Sequence, residues 1–466
     1  SVTGVQTCAL PISITIGPPS RELMNVFPRQ EDTFTYVRLS GRNIGGPVTS
    51  LEADISYHRV EERLERIQRT GFFTMRRQYF SVDTLSLTST AQLDFGDLSR
   101  ITAGIDLYHD TISSGRRDYN LRTGTVVNRD AGAQFPNGAD YMQAGIYVQD
   151  TITLLEGMLD ITPGLRASLV KAQAETSSLG AGMKDVDETL TDVTGAVSVT
   201  VRPNDWLRPS ISIARGFRAP NLDDLAASKG TGRGNEIPNP ELNPEKLYGI
   251  QGMLKAWLDN HIKDSAAPYR ASASACLYGH WMFDLATSRP TTFNNLPVVQ
   301  LDNTNRALIW GWELEARYYL GPELALLGLN DDYIFTSGDA LAIWANASYT
   351  KGDDLSAKVP LNRMPPLMAI FGASYEMANG MFFIEPSMEV VDEQDRYGPA
   401  AAADVRFAKP TTPGYTLYHL AAGWRPTRHF TLRLSANNIT NKNYQVQGSG
   451  VFGAGTDVRV SGELRW

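Results

Sequence analysis

Between Ala214 and Glu245 the chain gathers charged and amide side chains around prolines. Arg215, Arg218, Asn221, Asp223 and Asp224 lie in A-R-G-F-R-A-P-N-L-D-D-L, and Glu245 ends N-P-E-L-N-P-E. Guanidinium and carboxylate groups at this spacing form charge-assisted hydrogen bonds, which either hold a loop or grip a charged ligand. Pro220 and Pro240 cannot donate to a ladder, so they end strands and stiffen a loop mouth. A second pair, Arg396 and Tyr397, carries the donors to grip a catecholate or a carboxylate. Arg218, Asn221, Asp223, Arg396 and Tyr397 are therefore the candidate ligand-binding residues. The plainer alternative for each is an exposed side chain that is solvated or paired.

Catalytic and metal chemistry find less support. Ser210 and Ser212 have no histidine nearby in sequence, and no G-x-S-x-G elbow occurs, so an enzyme is not expected. His58, His280 and His419 are isolated, without the converging partners an axial ligand needs, and read as hydrogen-bonding wall residues. Cys8 and Cys276 are too far apart to form a disulfide framework, and no Cys/His spacing suggests zinc. No metal site and no cofactor are expected.

The elements that must position the candidates are strands. Asp457 to Trp466 reads D-V-R-V-S-G-E-L-R-W, with Val458, Val460, Gly462, Leu464 and Trp466 on one face and charged or polar residues on the other. The alternation recurs in Phe430–Asn437 and Tyr418–Trp424. It recurs again in Leu308–Tyr318, where Trp310, Trp312 and Leu314 interleave with Glu313, Glu315 and Arg317. Segments of roughly ten residues, apolar outside and polar inside, are the signature of a transmembrane β-barrel. The pattern places strands near 33–40, 50–58, 84–95, 100–109, 141–153, 158–170, 190–201, 207–215, 245–258, 272–285, 306–319, 341–350, 366–375, 380–390, 414–424, 429–437 and 457–466.

Composition agrees. The 466 residues are 42% hydrophobic, yet no run of about 18 uncharged apolar residues provides a membrane helix. No linker divides the chain, and no repeat of the length of a propeller blade occurs. The net charge of −8, with basic residues scattered along alternating faces, argues against a nucleic-acid partner.

Residues 1–12 stand apart. Val2 to Ile12, V-T-G-V-Q-T-C-A-L-P-I, resembles the translation of a sequencing-library adapter and lacks the charged and apolar regions of a signal peptide. The expected division is an artefact over 1–12 and a partial barrel over 13–466. The strand list holds about 17 members, whereas single-chain bacterial barrels use even numbers, so strands are expected to be missing.

Short turns at Leu155-Glu156-Gly157, Pro203-Asn204-Asp205, Ala378-Asn379-Gly380 and Pro426-Thr427 alternate with long connections near 110–140, 171–189, 216–244, 391–413 and 438–456. Such barrels keep short turns in the periplasm and long loops outside, which places the C-terminus in the periplasm. Phe95, Tyr318, Trp424, Phe430 and Trp466 then form an aromatic girdle at the short-turn end. Connections 259–271 and 320–340 are too long for that side and stand unexplained.

Five motifs carry a family resemblance. The first two segments, through Phe217, Arg218, Ala219 and Pro220 and through Asn239, Pro240, Pro244 and Glu245, resemble the FRAP and NPxLxPE elements of TonB-dependent outer-membrane receptors. Three further likenesses come in the same order: D-N-T-N-R-A-L-I-W-G-W-E-L-E-A from Asp302, L-N-R-M-P-P-L from Leu361, and L-S-A-N-N-I-T-N-K-N-Y from Leu434, with the terminal aromatic Trp466.

The resemblance implies an all-β, antiparallel transmembrane barrel of about 22 strands, wide enough to need a plug. It implies energy-coupled uptake of a scarce nutrient, a ferric siderophore or other metal chelate, in the outer membrane of a Gram-negative bacterium. The implied partners are the TonB complex through an N-terminal plug region absent here, outer-membrane lipid, the barrel-assembly machinery through Trp466, and a small-molecule ligand. Haem-type receptors usually carry a histidine between the first two motifs, and Asn221 to Pro238 holds none, which disfavours haem. A passive, porin-like channel is the alternative function, since porins also have polar lumens.

Overall fold

Alternating sequence folds into a sheet whose two faces differ. The computed structural model describes residues 22–70, 72–129, 134–179, 182–231, 234–259, 269–320, 340–377, 380–402, 411–449 and 451–465. Within them run β1 (Glu22–Gly45), β2 (Val48–Thr70), β3 (Phe72–Phe95), β4 (Ser99–Asn120), β5 (Val126–Arg129), β6 (Ala139–Leu154) and β7 (Leu159–Ala174). Then come β8 (Val186–Val201), β9 (Leu207–Arg218), helix α1 (Leu222–Ala226), β10 (Lys229–Thr231), β11 (Gly234–Ile237), β12 (Glu245–Asp259), β13 (Tyr269–Phe293) and β14 (Leu296–Leu320). The rest are β15 (Ala340–Asp354), β16 (Val359–Pro360), β17 (Met368–Glu376), β18 (Phe382–Val391), β19 (Tyr415–Thr427), β20 (Phe430–Asn437) and β21 (Asp457–Leu464).

All belong to one 21-stranded sheet. Seventeen are eight residues or longer, and these coincide one for one with the segments expected from alternation. Each pairs antiparallel with the next long strand in sequence, as a barrel wall requires. No ladder joins β1 to β21 among the described residues.

Register fixes the faces. Cross-strand partners share a face, so Leu277↔Trp312↔Tyr349 and Ala275↔Leu314↔Ala347 run as apolar files around the outside. The neighbouring inward positions are polar. Arg166 on β7 donates two hydrogen bonds to Asp106 on β4, at 2.6 and 2.7 Å. It lies across Gly145 on β6, where a Cβ would come within 2.0 Å of the guanidinium. At the short-turn end, Phe95 and Trp424 are exposed on the outer face, and Trp424 meets Phe430 edge-on at 6.4 Å. Tyr318 accepts a hydrogen bond from Arg270 at 2.9 Å.

Several strands overrun their expected ends. β1 to β4 are 22–24 residues and β13 and β14 are 25 each, although about 9–11 cross a bilayer. The outward positions of β2 show why alternation failed to reveal this: Leu51, Ala53, Ile55 and Tyr57 give way to Arg59, Glu61, Arg63 and Glu65. Beyond the apolar band both faces are wet, the period-two signal fades, and backbone pairing continues. His58, placed near a strand end by sequence, therefore lies mid-strand, with Nε2 2.6 Å from Asp32. At the tip of β13–β14, Asn294 and Asn295 adopt φ of 49° and 63°, the left-handed pair that a two-residue hairpin turn needs.

The buried core lies at the long-loop mouth of the wall. Ile112, Tyr141, Val170, Ala172, Ala174 and Val186 from β4 and β6 to β8 pack against Leu222, Leu225, Ala226 and Leu242 of the β9–β12 connection. That connection, expected to be loop, contains α1 and the β10–β11 hairpin, and β11 pairs parallel with β14. Outside the described residues lie 1–21 with Cys8, the connections 260–268 and 321–339, Ala378 and Asn379, loop residues 403–410, and Trp466.

Candidate functional site

The five motifs meet at the mouth in two groups. In the first, β9 ends at Arg218, whose Nε and Nη2 donate to Glu245 at 2.8 and 3.0 Å and whose Nη1 donates to Asp224 at 2.7 Å. Glu245 opens β12, is 7% exposed, and also accepts the Ala286 N–H at 2.9 Å. Asn221 caps α1. Its side chain accepts the Asp224 N–H, and the Asp224 carboxylate accepts the Asn221 N–H, so two donors of the helix start are satisfied reciprocally. Asp223 accepts from Lys229 on β10. Arg215 turns instead to Asp192 and the Val193 carbonyl on β8.

The second and third motifs join through amides. Asn239 Nδ2 donates to the Leu301 carbonyl at 2.8 Å, and Asn243 exchanges hydrogen bonds with Asn303 at 2.9 and 3.1 Å. Tyr141 donates to the Pro220 carbonyl at 3.2 Å, fixing the turn after Phe217 and Arg218. Ala219 packs against the buried core. Pro240 and Pro244 lie in the turn and the entrance to β12. Lys184, on the neighbouring β7–β8 connection, donates to Glu241 and holds that carboxyl below the usual range.

The other group unites the β15–β17, β18–β19 and β20–β21 connections. Arg396 pairs with Asp353, and its N–H donates to Gln394 Oε1 at 3.0 Å. Gln394 donates in turn to the Met364 carbonyl at 2.8 Å. Tyr397 bonds the Thr412 hydroxyl and donates to Gln447 Oε1 at 3.1 Å; Thr412 reaches the same oxygen at 2.6 Å.

Asn438, 2% exposed with φ of 49°, organises the β20–β21 loop. Its Nδ2 donates to the Lys442 and Ala454 carbonyls, and its Oδ1 accepts the Lys442 N–H. Tyr444 packs on Tyr415 with centroids 4.7 Å apart. Arg218, Asn221 and Asp223 thus fall in one group and Arg396 and Tyr397 in the other.

Of the remaining candidates, His280 stacks on Tyr278 at 5.3 Å, His419 stands 3.7 Å from Glu389, and the Cys276 sulfur accepts from Gln251 at 3.1 Å. The ladder partners of Ser212 are Ser198 and Gln251, and those of Ser210 are Thr200 and Met253. Among the described residues no three His, Cys, Asp or Glu side chains converge to hold a metal ion.

Sequence reasoning missed Tyr141, Gln394, Thr412 and Gln447. Each acts across 15 to 79 residues of chain, and no local pattern marks them.

Comparison with known proteins gives this mouth its context. The hemin receptor of Yersinia enterocolitica is 28% identical over 236 residues, covering 46% of this chain and 32% of that protein. Hemoglobin-binding protein A of Haemophilus influenzae is 23% identical over 256 residues, covering 53% and 24%. Among solved structures, the copper transporter OprC superposes with a TM-score of 0.77 at 18% identity, over 95% of this chain and 66% of that one. The FrpB iron transporter from Neisseria meningitidis gives 0.66 at 16% identity, over 93% and 62%. The chain thus spans a quarter to a third of the length of these curated relatives, and the structural likenesses show the fold. Residues 24–439 match the family described as TonB dependent receptor-like, beta-barrel, a family of outer-membrane transport receptors, and the chain belongs to it.

Proposed function

We propose that this chain forms the wall and mouth of an outer-membrane receptor for energy-coupled uptake of a scarce nutrient, a ferric siderophore or other metal chelate. The observation that carries the reading is the mouth: five motifs spread over the chain are tied there into two braced groups above a polar inner face. A plain diffusion channel has no need of so much fixed structure at its entrance.

The mouth and its long connections face the exterior and the C-terminus the periplasm, in keeping with the short turns after β1, β3, β6 and β19. TonB would act through the plug region that the family resemblance implies, and Trp466 would serve barrel assembly. Arg218, Asn221 and Asp223 brace the mouth, while Arg396 and Tyr397 form the support beneath its ligand-facing side.

The relatives named for hemin and hemoglobin raise haem as cargo. The segment between the first two motifs has no histidine, and His280 and His419 are engaged with Tyr278 and Glu389. A metal chelate other than haem fits these residues better.

The test is uptake of radiolabelled ferric chelates by a Gram-negative host that makes the full receptor, with and without TonB and with an uncoupler. Saturable uptake that stops in both controls is expected. Uptake that persists without TonB and rises linearly with concentration would establish a passive pore instead.

A further inference from the structure

We infer that the outward face of β2 to β4, above the apolar band, binds the phosphorylated saccharide head of an outer-leaflet glycolipid. The inference rests on the outward placement of the mouth, which sets this face in the outer leaflet's head layer.

The chain as a whole carries a net charge of −8, and this stretch is the reverse. Residues 59–79 and 113–120 hold eight arginines against four carboxylates. Register sets several of these arginines against each other. On the outward face Arg29 stands opposite Arg63 across β1 and β2, and Arg77 stands opposite Arg117 across β3 and β4. Like charges directly opposite destabilise a sheet, so the pairing costs the fold something that no contact within it returns. The carboxylates nearby are already engaged: Glu61 lies 3.2 Å from Arg29, Asp83 3.2 Å from Arg59, and Glu65 2.7 Å from Arg77. Arg63 and Arg117 are exposed, and neither has a carboxylate at ion-pair distance among the described residues. A phosphate supplies what they lack, since a guanidinium meets it through two parallel hydrogen bonds.

Flat rings stand between the cations. The Arg77 guanidinium lies over the Tyr119 ring at 5.5 Å. Tyr79, the ladder partner of Arg63, is half-exposed and lies across Gly115, where a Cβ would come within 2.3 Å of the ring. A ring with one open face beside a cation suits a sugar that carries a phosphate.

Height selects the anion. From Tyr57, where the outward apolar run ends, Arg63 is six residues further along β2, and the Arg77–Arg117 pair lies level with Glu65, eight residues on. At about 3.4 Å per residue and a strand tilt of about 40°, these rows stand about 15 and about 20 Å above the band. The head layer of a phospholipid leaflet is only about 5–7 Å deep. Arg59 and Asp83 fall inside that layer. Arg63 and Arg117 stand above it, so the phosphate that reaches them is carried on a head several sugars tall.

The experiment titrates the full receptor in detergent with rough lipopolysaccharide whose core carries phosphates. The comparison ligands are the same lipid after removal of the core phosphates, its water-soluble core oligosaccharide, and phosphatidylglycerol. The intact glycolipid is expected to bind at least about tenfold more tightly than each of the three, and Arg63→Gln with Arg117→Gln to weaken it about tenfold. Both side chains are exposed, so their replacement leaves the sheet folded. Equal binding of the dephosphorylated lipid or of phosphatidylglycerol, or a double variant that binds the glycolipid unchanged, would overturn the surface. Equal binding of the soluble oligosaccharide would make the ligand a free polyanion and overturn it too. Leu121, 42% exposed just beyond β4, reports the placement on which the inference rests. A Leu121→Cys receptor on intact cells is expected to take up a membrane-impermeant maleimide beyond the level of the parent chain. Labelling without glycolipid binding removes the surface alone, and absence of labelling removes the outward mouth.

Discussion

The two groups at the mouth are built from different chemistry. On the side of β4 to β14, the β9–β12 connection is a strut: α1 buries Leu222, Leu225 and Ala226 in an apolar core, and every charge of Arg218, Asp223, Asp224 and Glu245 has an opposite charge against it. On the side of β15 to β21, the connections are held by amides and hydroxyls, from Gln394 through Thr412 to Gln447, and a cleft stays open between them. A hydrogen-bonded frame fixes its backbone and leaves rings and a cation facing outward. The first side is therefore closed by its own ion pairs, and the second keeps open surface between its connections.

Breaking the strut has the largest expected effect. Glu245→Ala leaves Arg218 with Asp224 alone and orphans the Ala286 N–H, at a cost of about 3 kcal/mol, the low end of the range for splitting a buried ion pair because the Arg218 side chain is 48% exposed. Urea unfolding in detergent micelles measures it. A loss below about 1 kcal/mol would show that the pair is no keystone.

Leu225→Ala, at a residue with no exposed surface, should cost about 3 kcal/mol by leaving a cavity. The same change at exposed Leu464 should cost far less, and equal losses would deny that the mouth holds a core.

On the other side, Thr412→Val removes one hydroxyl from a shared network and should cost about 1 kcal/mol. A loss as large as that of Glu245→Ala would erase the contrast between the two groups.

The smallest effect concerns pH. The Lys184 hydrogen bond holds the Glu241 carboxyl below its ordinary value of 4.5. Its contribution is therefore present above that value and lost as pH falls through the lowered one. Amide protection factors around Lys184, corrected for the intrinsic pH dependence of exchange, should fall in acid, and a Lys184→Met receptor should show no such step. A step of equal size in both would place its origin elsewhere.

How far these features were legible depends on the physics that alternation records. Every long strand announced itself where one face meets lipid and the other the lumen, as in Leu308–Tyr318. β2 beyond Tyr57 did not, because Arg59, Glu61, Arg63 and Glu65 face water on a strand that is wet on both sides. The ion pairs of Arg218 lay within reach of sequence, since Asp224 and Glu245 are near and opposite in charge. The capping box at Asn221 and Asp224 was present in the spacing and passed unread. The parallel seat of β11 on β14 had no signal, for its partners stand 63 residues apart. Arg396 and Tyr397 were marked by type alone, and their partners Asp353 and Gln447 are 43 and 50 residues away.

On the proposed transport reading, the overlong strands change the kinetics of capture. At about 3.4 Å per residue, β3 measures about 80 Å, far more than the apolar band it crosses, and β13 and β14 match it on another flank. The mouth is therefore the floor of a well between tall palisades. A solute that detaches there must diffuse up between two walls before it is lost, and meets the floor again many times on the way. Recapture competes with escape, as it does for any tethered or confined pair. Because geometry adds no contact, the affinity is unchanged, and the longer residence of a dilute ligand is matched by an equal slowing of its arrival.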